Sequence, residues 1–479
     1  MGAWDLTGYY SSLTEQSVKK LQQIVGIDNV IYDDPDRLEP YSHDEIADPE
    51  YAHFPEVVVK PENSAETAAI MKLANAEMVP VTPRGAGSGL SGGAVPVRGG
   101  ILLSTERMNR IIEIDEDNLV AVLEPGVVTN DFNKEVEKKG LFFAGYPMSR
   151  EMCYIGGNVA ENAGGGRAIK YGVTGRYVLG LEVVLPTGEI INLGGKRVKD
   201  VTGYNLLQLM VGSEGTLGIF TRIIIKLLPL PKARVDMLVL FEDVAAAVSS
   251  VPLMIAGTRS IPGSIELMDR LSLEISCNYI GESTKQFQNA GAILIVELDG
   301  NSAEYIREEC LLMGELCLEH GAMDAFIADS PSEQARIWNA REHVAEAIKA
   351  LTPAQSLEDV VVPISNIPRL VEVLRALSQK YDLHIPCYGH AGDGNLHATI
   401  VKKEEDSLEN WHKKLPVVLR ELYLAVKSLG GTISGEHGIG HKRKQFVQLV
   451  LDEASLSTMK KIKKALDPNL ILNPGKLWG

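Results

Sequence analysis

Apolar positions along the 479-residue chain change their period several times, and those changes predict its elements. After Thr14, a residue type that caps helices, Val18, Leu21, Ile24 and Val25 share one helical face, so a helix is expected over 14–25. Val57-Val58-Val59 reads as a short buried strand. Pro61 and Ser64 then introduce a helix to about Ala76, and Val79-Pro80-Val81 reads as the next strand. From 101 to 230 short β-branched runs separated by turn residues dominate, at 101–103, 111–114, 119–123, 181–185 and 219–228. Pro229-Leu230-Pro231 interrupts this pattern and marks a boundary. Beyond it, strands at 237–241, 292–298, 325–327, 360–362 and 384–386 alternate with helices at about 303–320 and 366–380. The pattern predicts an α+β fold in two or three domains, the second an antiparallel sheet with helices over one face.

Two stretches break every period because they are glycine. In Pro83-Arg84-Gly85-Ala86-Gly87-Ser88-Gly89-Leu90-Ser91-Gly92-Gly93, residues 87 to 92 satisfy Gly-x-Gly-x-x-Gly. A Rossmann loop opens a helix, whereas Pro96 and Gly99-Gly100 lead here to another strand at 101–103, so that reading is rejected. A loop whose backbone N–H groups surround a diphosphate remains. The run 156 to 166, Gly156-Gly157-Asn158-Val159-Ala160-Glu161-Asn162-Ala163-Gly164-Gly165-Gly166, is a second such loop, so a large cofactor held at both ends is expected. Glycine is 45 of 479 residues, about 9 % against a typical usage of about 7 %.

Charge removes several function classes. Lys and Arg number 47 against 63 Asp and Glu, a net charge of −16 that repels phosphate backbones and anionic lipid, so no nucleic-acid partner is expected. The five cysteines, Cys153, Cys277, Cys310, Cys317 and Cys387, include no Cys-x-x-Cys pair and predict neither a disulfide framework nor an iron–sulfur site. Met1 to Asp5 show no basic region followed by an apolar run, and no apolar stretch approaches the roughly 18 residues that span a bilayer. A cytoplasmic protein without membrane insertion is expected.

Several motifs in order carry a resemblance. The loop 83 to 93, Glu124-Pro125-Gly126, Pro147, the run 156 to 166, Lys170-Tyr171-Gly172 and Gly212-Ser213-Glu214-Gly215-Thr216-Leu217-Gly218-Ile219 resemble the FAD-binding domain of the vanillyl-alcohol oxidase (PCMH) superfamily. The resemblance implies a two-part FAD-binding domain over 1–230, a substrate or cap domain over 231–443, and a segment 444–479 returning to the first. It implies a pyrophosphate held by Arg84, Gly85, Ala86, Gly87, Ser88, Gly89, Leu90 and Gly92. Pro147, Gly157, Asn158, Ala163, Gly164, Gly165, Tyr171 and Gly172 lie near the flavin ring in this reading, and Glu214, Gly218, Ile219 and Asn473 complete the site. Covalent members carry His or Cys beside the flavin. The first loop has neither, which implies non-covalent FAD.

Six of the ten histidines fall between 384 and 441. His390 and His397 flank the glycine turn of Tyr388-Gly389-His390-Ala391-Gly392-Asp393-Gly394-Asn395-Leu396-His397, so both rings can face one point, and Ser434-Gly435-Glu436-His437-Gly438 adds a carboxylate and a third imidazole. Two His and one Glu suit a divalent Zn, Fe or Mn ion with open positions. Both segments resemble the carboxy-terminal domain of FAD-linked D-2-hydroxy acid dehydrogenases, the group of D-lactate dehydrogenase, D-2-hydroxyglutarate dehydrogenase and the glycolate oxidase flavin subunit. Carried over by position, His390, His397 and Glu436 hold the metal and His437 is the base, while His384, His412 and His441 serve packing or surface. Trp338-Asn339-Ala340-Arg341-Glu342 resembles the segment that brings an arginine, Arg341, to the substrate carboxylate.

Ala345 and Leu357 stand where hydroxyglutarate-specific members carry polar or basic residues, and Thr399 replaces an asparagine, which implies a small monocarboxylate. The implied reaction is FAD-dependent oxidation of a D-2-hydroxy acid, D-lactate before glycolate, with hydride transfer to flavin N5. Electrons then pass to a protein acceptor, as in dehydrogenase subunits that work with an electron-transferring flavoprotein and reach NAD through that partner. Basic runs at 441–444 and 460–464 are candidate docking faces. A non-oxidising enzyme of the alkylglycerone-phosphate synthase type and a flavin-carrying scaffold subunit are the rival readings.

Overall fold

The structure, a computed structural model, describes residues 6, 8–287, 289–328 and 330–478; the amino-terminal reading of Met1 to Asp5 falls outside them. Two compact units divide the chain. One comprises 1–164, 173–230 and 436–479, the other 165–172 and 231–435. The carboxy-terminal part of the first unit runs from Glu436, and the short segment 165–172 belongs to the second unit.

In the first unit the strands β1 (Val30–Tyr32), β2 (Val57–Val59), β3 (Val81–Arg84) and β4 (Ile101–Ser104) form a sheet in the order β1-β2-β4-β3. β2 and β3 run parallel to β4, and β1 runs antiparallel to β2. The helix Glu15–Val25 starts from Thr14, whose hydroxyl accepts from Ser17 N–H at 3.1 Å, and the helix Ser64–Glu77 starts from Asn63, whose side-chain Oδ1 accepts from Glu66 N–H at 2.9 Å. Val18, Leu21, Ile70 and Met71 from these helices bury against Val57, Val59, Ile101 and Leu103, and Ile471 and Leu472 of the tail enter the same core. β3 begins at Val81 rather than Val79, because Val79 N–H bonds Ala74 O at 2.9 Å, closing the preceding helix, and Pro80 has no N–H to give.

Next come β5 (Ile111–Asp115), β6 (Val120–Leu123), β7 (Leu141–Phe142), β8 (Val178–Val184), β9 (Ile190–Gly194), β10 (Ile219–Lys226) and β11 (Leu228–Pro229). Five of them make an antiparallel sheet in the order β5-β6-β10-β8-β9, and β7 pairs with β11.

The second unit is built on one antiparallel sheet. Its strands are β12 (Ala233–Phe241), β13 (Ser264–Asp269), β14 (Ala292–Gly300), β15 (Ala322–Ala328), β16 (Gln355–Val361), β17 (Cys387–His390) and β18 (Asn395–Val401), in the order β15-β12-β14-β13-β17-β18-β16. The expected covering of one face is corrected: β14 is buried from Ala292 through Asp299, because helices cover both faces. On one side Leu273, Cys277, Trp338 and Val344 pack on Leu238, Ile293 and Ile295; on the other, Gly314 of the helix Ala303–Glu319 lies against Met237. The strand expected at 384–386 starts instead at Cys387, since Pro386 lacks the donor a ladder needs and contributes only its carbonyl, to Thr399 N–H at 3.1 Å. Among the described residues no helix is long and apolar enough to cross a membrane.

Candidate active site

In the first unit the glycine loop leaves β3 and reaches β4 with no intervening helix. Gly87 takes φ +77, and a Cβ there would run into the Arg84 side chain. Arg84 itself turns inward: its guanidinium donates to His43 O at 2.7 Å and Pro40 O at 3.0 Å, so only its backbone belongs with the loop. The two glycine clusters meet, because a Cβ on Gly85 would lie 3.8 Å from Gly157 N, while beside Gly157 there is open space. Two facing loops with open space between backbone amides suit the FAD that their motifs imply. Asn158 Nδ2 donates to Thr129 Oγ1 at 2.7 Å and Ala163 O accepts from Thr174, so these two hold the second loop in shape. Pro147 lies half-buried before Cys153, whose thiol is buried, bonded to Thr129 Oγ1 and pushed up by burial, a poor nucleophile toward a flavin.

Glu214, Asn473 and Gly92 come together around residues that sequence reasoning missed. Glu214 accepts from Ile439 N–H at 2.9 Å and Gly440 N–H at 2.6 Å, and Asn473 Nδ2 donates to both Glu214 O at 2.9 Å and Gly93 O at 3.0 Å. Asp44 Oδ2 accepts from Gly92 N–H at 2.7 Å, and Lys476 Nζ donates to Val95 O and to Asn473 Oδ1 at 3.2 Å. Burial, then the neighbouring Glu214, push the Glu161 carboxyl well up; burial pulls Lys476 down to about 7. Nothing in the local sequence marks Asp44 or Glu161, since both act through contacts distant along the chain. Gly218 and Ile219 serve packing: Ile219 is core, and a Cβ on Gly218 would strike Val183.

The second unit carries the other candidates. Segment 165–172 is tied down by Arg167 on Glu297 at 2.9 Å, Lys170 on Asp299 and Tyr171 Oη on Asp299 at 2.6 Å; the Tyr171 hydroxyl, expected near the flavin, is thus engaged by an acid, next to Gly172 at φ +80. β17 and β18 form a hairpin in which Tyr388 stands opposite His397 and His390 opposite Asn395. The glycine turn does bring the two imidazoles together: their ring centres are 5.2 Å apart, with a nitrogen on each within 4.8 Å of the other. Asp359 of β16 faces His397 across the ladder, and its carboxylate accepts from Asn395 Nδ2 at 2.7 Å, Ser434 Oγ at 2.8 Å and Gly435 N–H at 2.8 Å. Asp359 therefore anchors the segment that runs directly into Glu436 and His437. Those two belong to the first unit, where His437 Nε2 is 3.6 Å from Glu436 Oε1.

Glu266, also missed by the sequence reading, stands opposite His390 in the β13–β17 ladder. Its Oε1 accepts from His390 Nδ1 at 2.6 Å, while Arg341 Nε and Nη2 reach Oε2 at 2.8 and 2.7 Å. Burial alone would raise this carboxyl, but the His390 and Arg341 charges outweigh it and hold the group below the usual range. Arg341 is buried near the end of the helix Pro331–Glu342 and stacks on Tyr388, its carbon 5.2 Å from the ring centre. Ala345 is exposed, whereas Leu357 and Thr399 are ladder partners on β16 and β18. His384 and His412 are exposed, and His441 is half-buried with its imidazole held down to about 4 by burial. Of the basic runs, 441–444 buries Lys442 and Arg443, whereas 460–464 buries Lys463 and leaves Lys461 and Lys464 exposed.

Comparison with known proteins supplies the family. Residues 55–194 match the FAD binding domain family, and residues 230–477 match the family described as FAD linked oxidases, C-terminal domain. The glycolate oxidase subunit GlcD of Bacillus subtilis is 40% identical over 470 residues, 97% of each chain. A D-lactate dehydrogenase of Anaerostipes hadrus is 37% identical over 472 residues, 98% of each chain. The crystal structure of p-cresol methylhydroxylase with substrate bound aligns with a TM-score of 0.79 at 20% identity, covering 97% of this chain and 98% of that one, and so shares the fold. The chain therefore belongs to the FAD-linked oxidases, with the two-domain FAD-binding fold of the vanillyl-alcohol oxidase (PCMH) type.

Proposed function

We propose that this oxidoreductase converts a small D-2-hydroxy acid, D-lactate before glycolate, to its 2-oxo acid and passes the electrons to a protein acceptor. The observation that carries the reading is the buried Arg341–Glu266–His390 group, which places a guanidinium and an imidazole side by side on one sheet face. Bound FAD would supply the acceptor for the C2 hydride, and a divalent ion, which His390, His397 and Glu436 would hold, would supply a Lewis acid for the substrate hydroxyl. Arg341 grips the carboxylate and so fixes the direction of C2. His437 accepts the hydroxyl proton at a ring nitrogen. Leu357 beside Thr399 offers an apolar methyl and a hydroxyl rather than a second cation, which favours a monocarboxylate.

Relatives named D-lactate dehydrogenase and glycolate oxidase subunit support this substrate class, and the word subunit supports a partner, for which an electron-transferring flavoprotein is proposed. The test is anaerobic bleaching of the flavin absorbance by a panel of D- and L-2-hydroxy acids. D-lactate is expected to bleach fastest and glycolate more slowly. A flavin reduced by no member of the panel, or only by L-enantiomers, overturns the assignment.

A further inference from the structure

Four donors converge on Glu266, which is entirely buried. Oε1 accepts from His390 Nδ1 at 2.6 Å and from Ser264 Oγ at 2.9 Å; Oε2 accepts from Arg341 Nε at 2.8 Å and lies 2.7 Å from Nη2. These contacts fill the roughly four lone-pair sites of an ionised carboxylate, so Glu266 has no capacity left for a metal or a substrate. A counter-ion for a buried arginine needs only the Oε2 half of this arrangement. The Oε1 half is spent on an imidazole.

We propose that Glu266 is a positioning residue that sets two parts of the site at once: the tautomer of His390 and the orientation of Arg341. The inference rests on the function proposed above. An ionised carboxylate can only accept, so His390 Nδ1 carries the hydrogen and Nε2 presents its lone pair, the arrangement in which a carboxylate orients a metal-binding histidine. The guanidinium is planar, so holding its Nε–Nη2 edge fixes the direction of Nη1 as well. Tyr388 supports the same plane from its face. Gly166 closes over the pair: a Cβ there would overlap Glu266 Oε1 and lie 2.8 Å from Ser264 Oγ, so this position excludes any side chain and keeps the carboxylate sealed.

Glu266→Gln preserves the shape and breaks the logic. Its amide nitrogen is a donor, and wherever it points it faces a donor already there. Toward His390 it forces the hydrogen onto Nε2 and removes that ligand; toward Arg341 it releases the guanidinium edge. Glu266→Asp keeps the charge but is one methylene too short to reach both partners.

Wild-type protein with FAD bound is stripped of metal with a chelator and titrated with Zn²⁺ against a chromophoric competitor. Binding of 2-hydroxyisobutyrate, which keeps the carboxylate and hydroxyl but has no C2 hydrogen to lose, is read from the flavin spectrum. Glu266→Gln is expected to weaken Zn²⁺ about 10- to 100-fold and to weaken 2-hydroxyisobutyrate as well, with FAD content unchanged. If that variant does not fold, Glu266→Asp carries the test through its Zn²⁺ affinity, again expected to fall at least tenfold. Zn²⁺ affinity within twofold of wild type in a folded variant at position 266 overturns the inference. His390→Ala separates the two levels: if it too leaves Zn²⁺ binding unchanged, the metal reading fails, whereas loss in His390→Ala with no change at 266 refutes only the positioning role.

Discussion

Lys476 shows how a single buried charge makes the first unit sensitive to pH. Burial pulls its ammonium from 10.5 down to about 7, against the attraction of Asp44. Between those values the unfolded chain binds a proton that the folded chain does not, so this lysine makes stability rise with pH through the window from about 7 to 10.5. Asp44, Glu161 and Glu214 work in the opposite sense: burial raises all three, and each contributes stability that is lost as pH climbs above its unfolded value. The lysine is isolated by comparison with Lys476→Met. In urea titrations at pH 7, 8 and 9, the unfolding free energy of wild type minus that of the variant is expected to climb, with a slope approaching about 1.4 kcal/mol per pH unit. A flat difference curve means that the lysine stays protonated in the fold.

At the level of elements, the basic run Lys460-Lys461-Ile462-Lys463-Lys464 illustrates what a sequence can and cannot say. Its charge density suggests a solvated docking face, yet the helix Glu453–Leu466 buries one member, Lys463, whose ammonium donates to Thr216 O at 2.7 Å, Asp467 Oδ2 at 2.6 Å and Leu472 O at 2.8 Å. One cation thus fastens the helix, the tail and the loop after Gly215 to each other. Replacing it with methionine leaves the buried Asp467 carboxylate without its cation and is expected to cost about 3–5 kcal/mol in urea unfolding, whereas Lys461→Ala on the exposed face should stay within about 0.5 kcal/mol. Equal, small effects would show the strap to be ornamental. Strands and helices with strong periodicity, such as 57–59 and 303–319, were legible because local pattern decides them. Glu266 was not, since β13 offers only a mixed Ser-Ile-Glu-Leu-Met-Asp run, and the partners of the Glu266 carboxylate, Arg341 and His390, lie 75 and 124 residues away. His390 and His397 were legible for the converse reason: a seven-residue spacing around glycines is a hairpin signal in itself.

For the whole molecule, the open question is where the electrons go once the flavin is reduced. The glycine loop that imitates a nicotinamide fingerprint ends in a turn into β4, so it has no helix N-terminus to receive a second pyrophosphate, and Gly92 is instead pinned by Asp44 within the unit. NAD therefore has no binding mode through this motif. The proposed electron-transferring flavoprotein removes this difficulty, because it would take up the electrons and reduce NAD at its own site. Lys442, Arg443 and Lys463 are buried, so Lys461 and Lys464 are the exposed lysines left in those runs, and at net charge −16 docking is expected to depend on shape and apolar contact more than on attraction to an acidic partner. Two outcomes follow for the purified chain supplied with D-lactate. It should reduce a dye such as ferricenium readily and NAD negligibly, and NAD reduction should appear on adding an electron-transferring flavoprotein, with a rate that changes less than tenfold between 50 and 300 mM salt. Rapid NAD reduction by the chain alone would refute the need for a partner, and a steep fall with salt would return the docking to its charged residues.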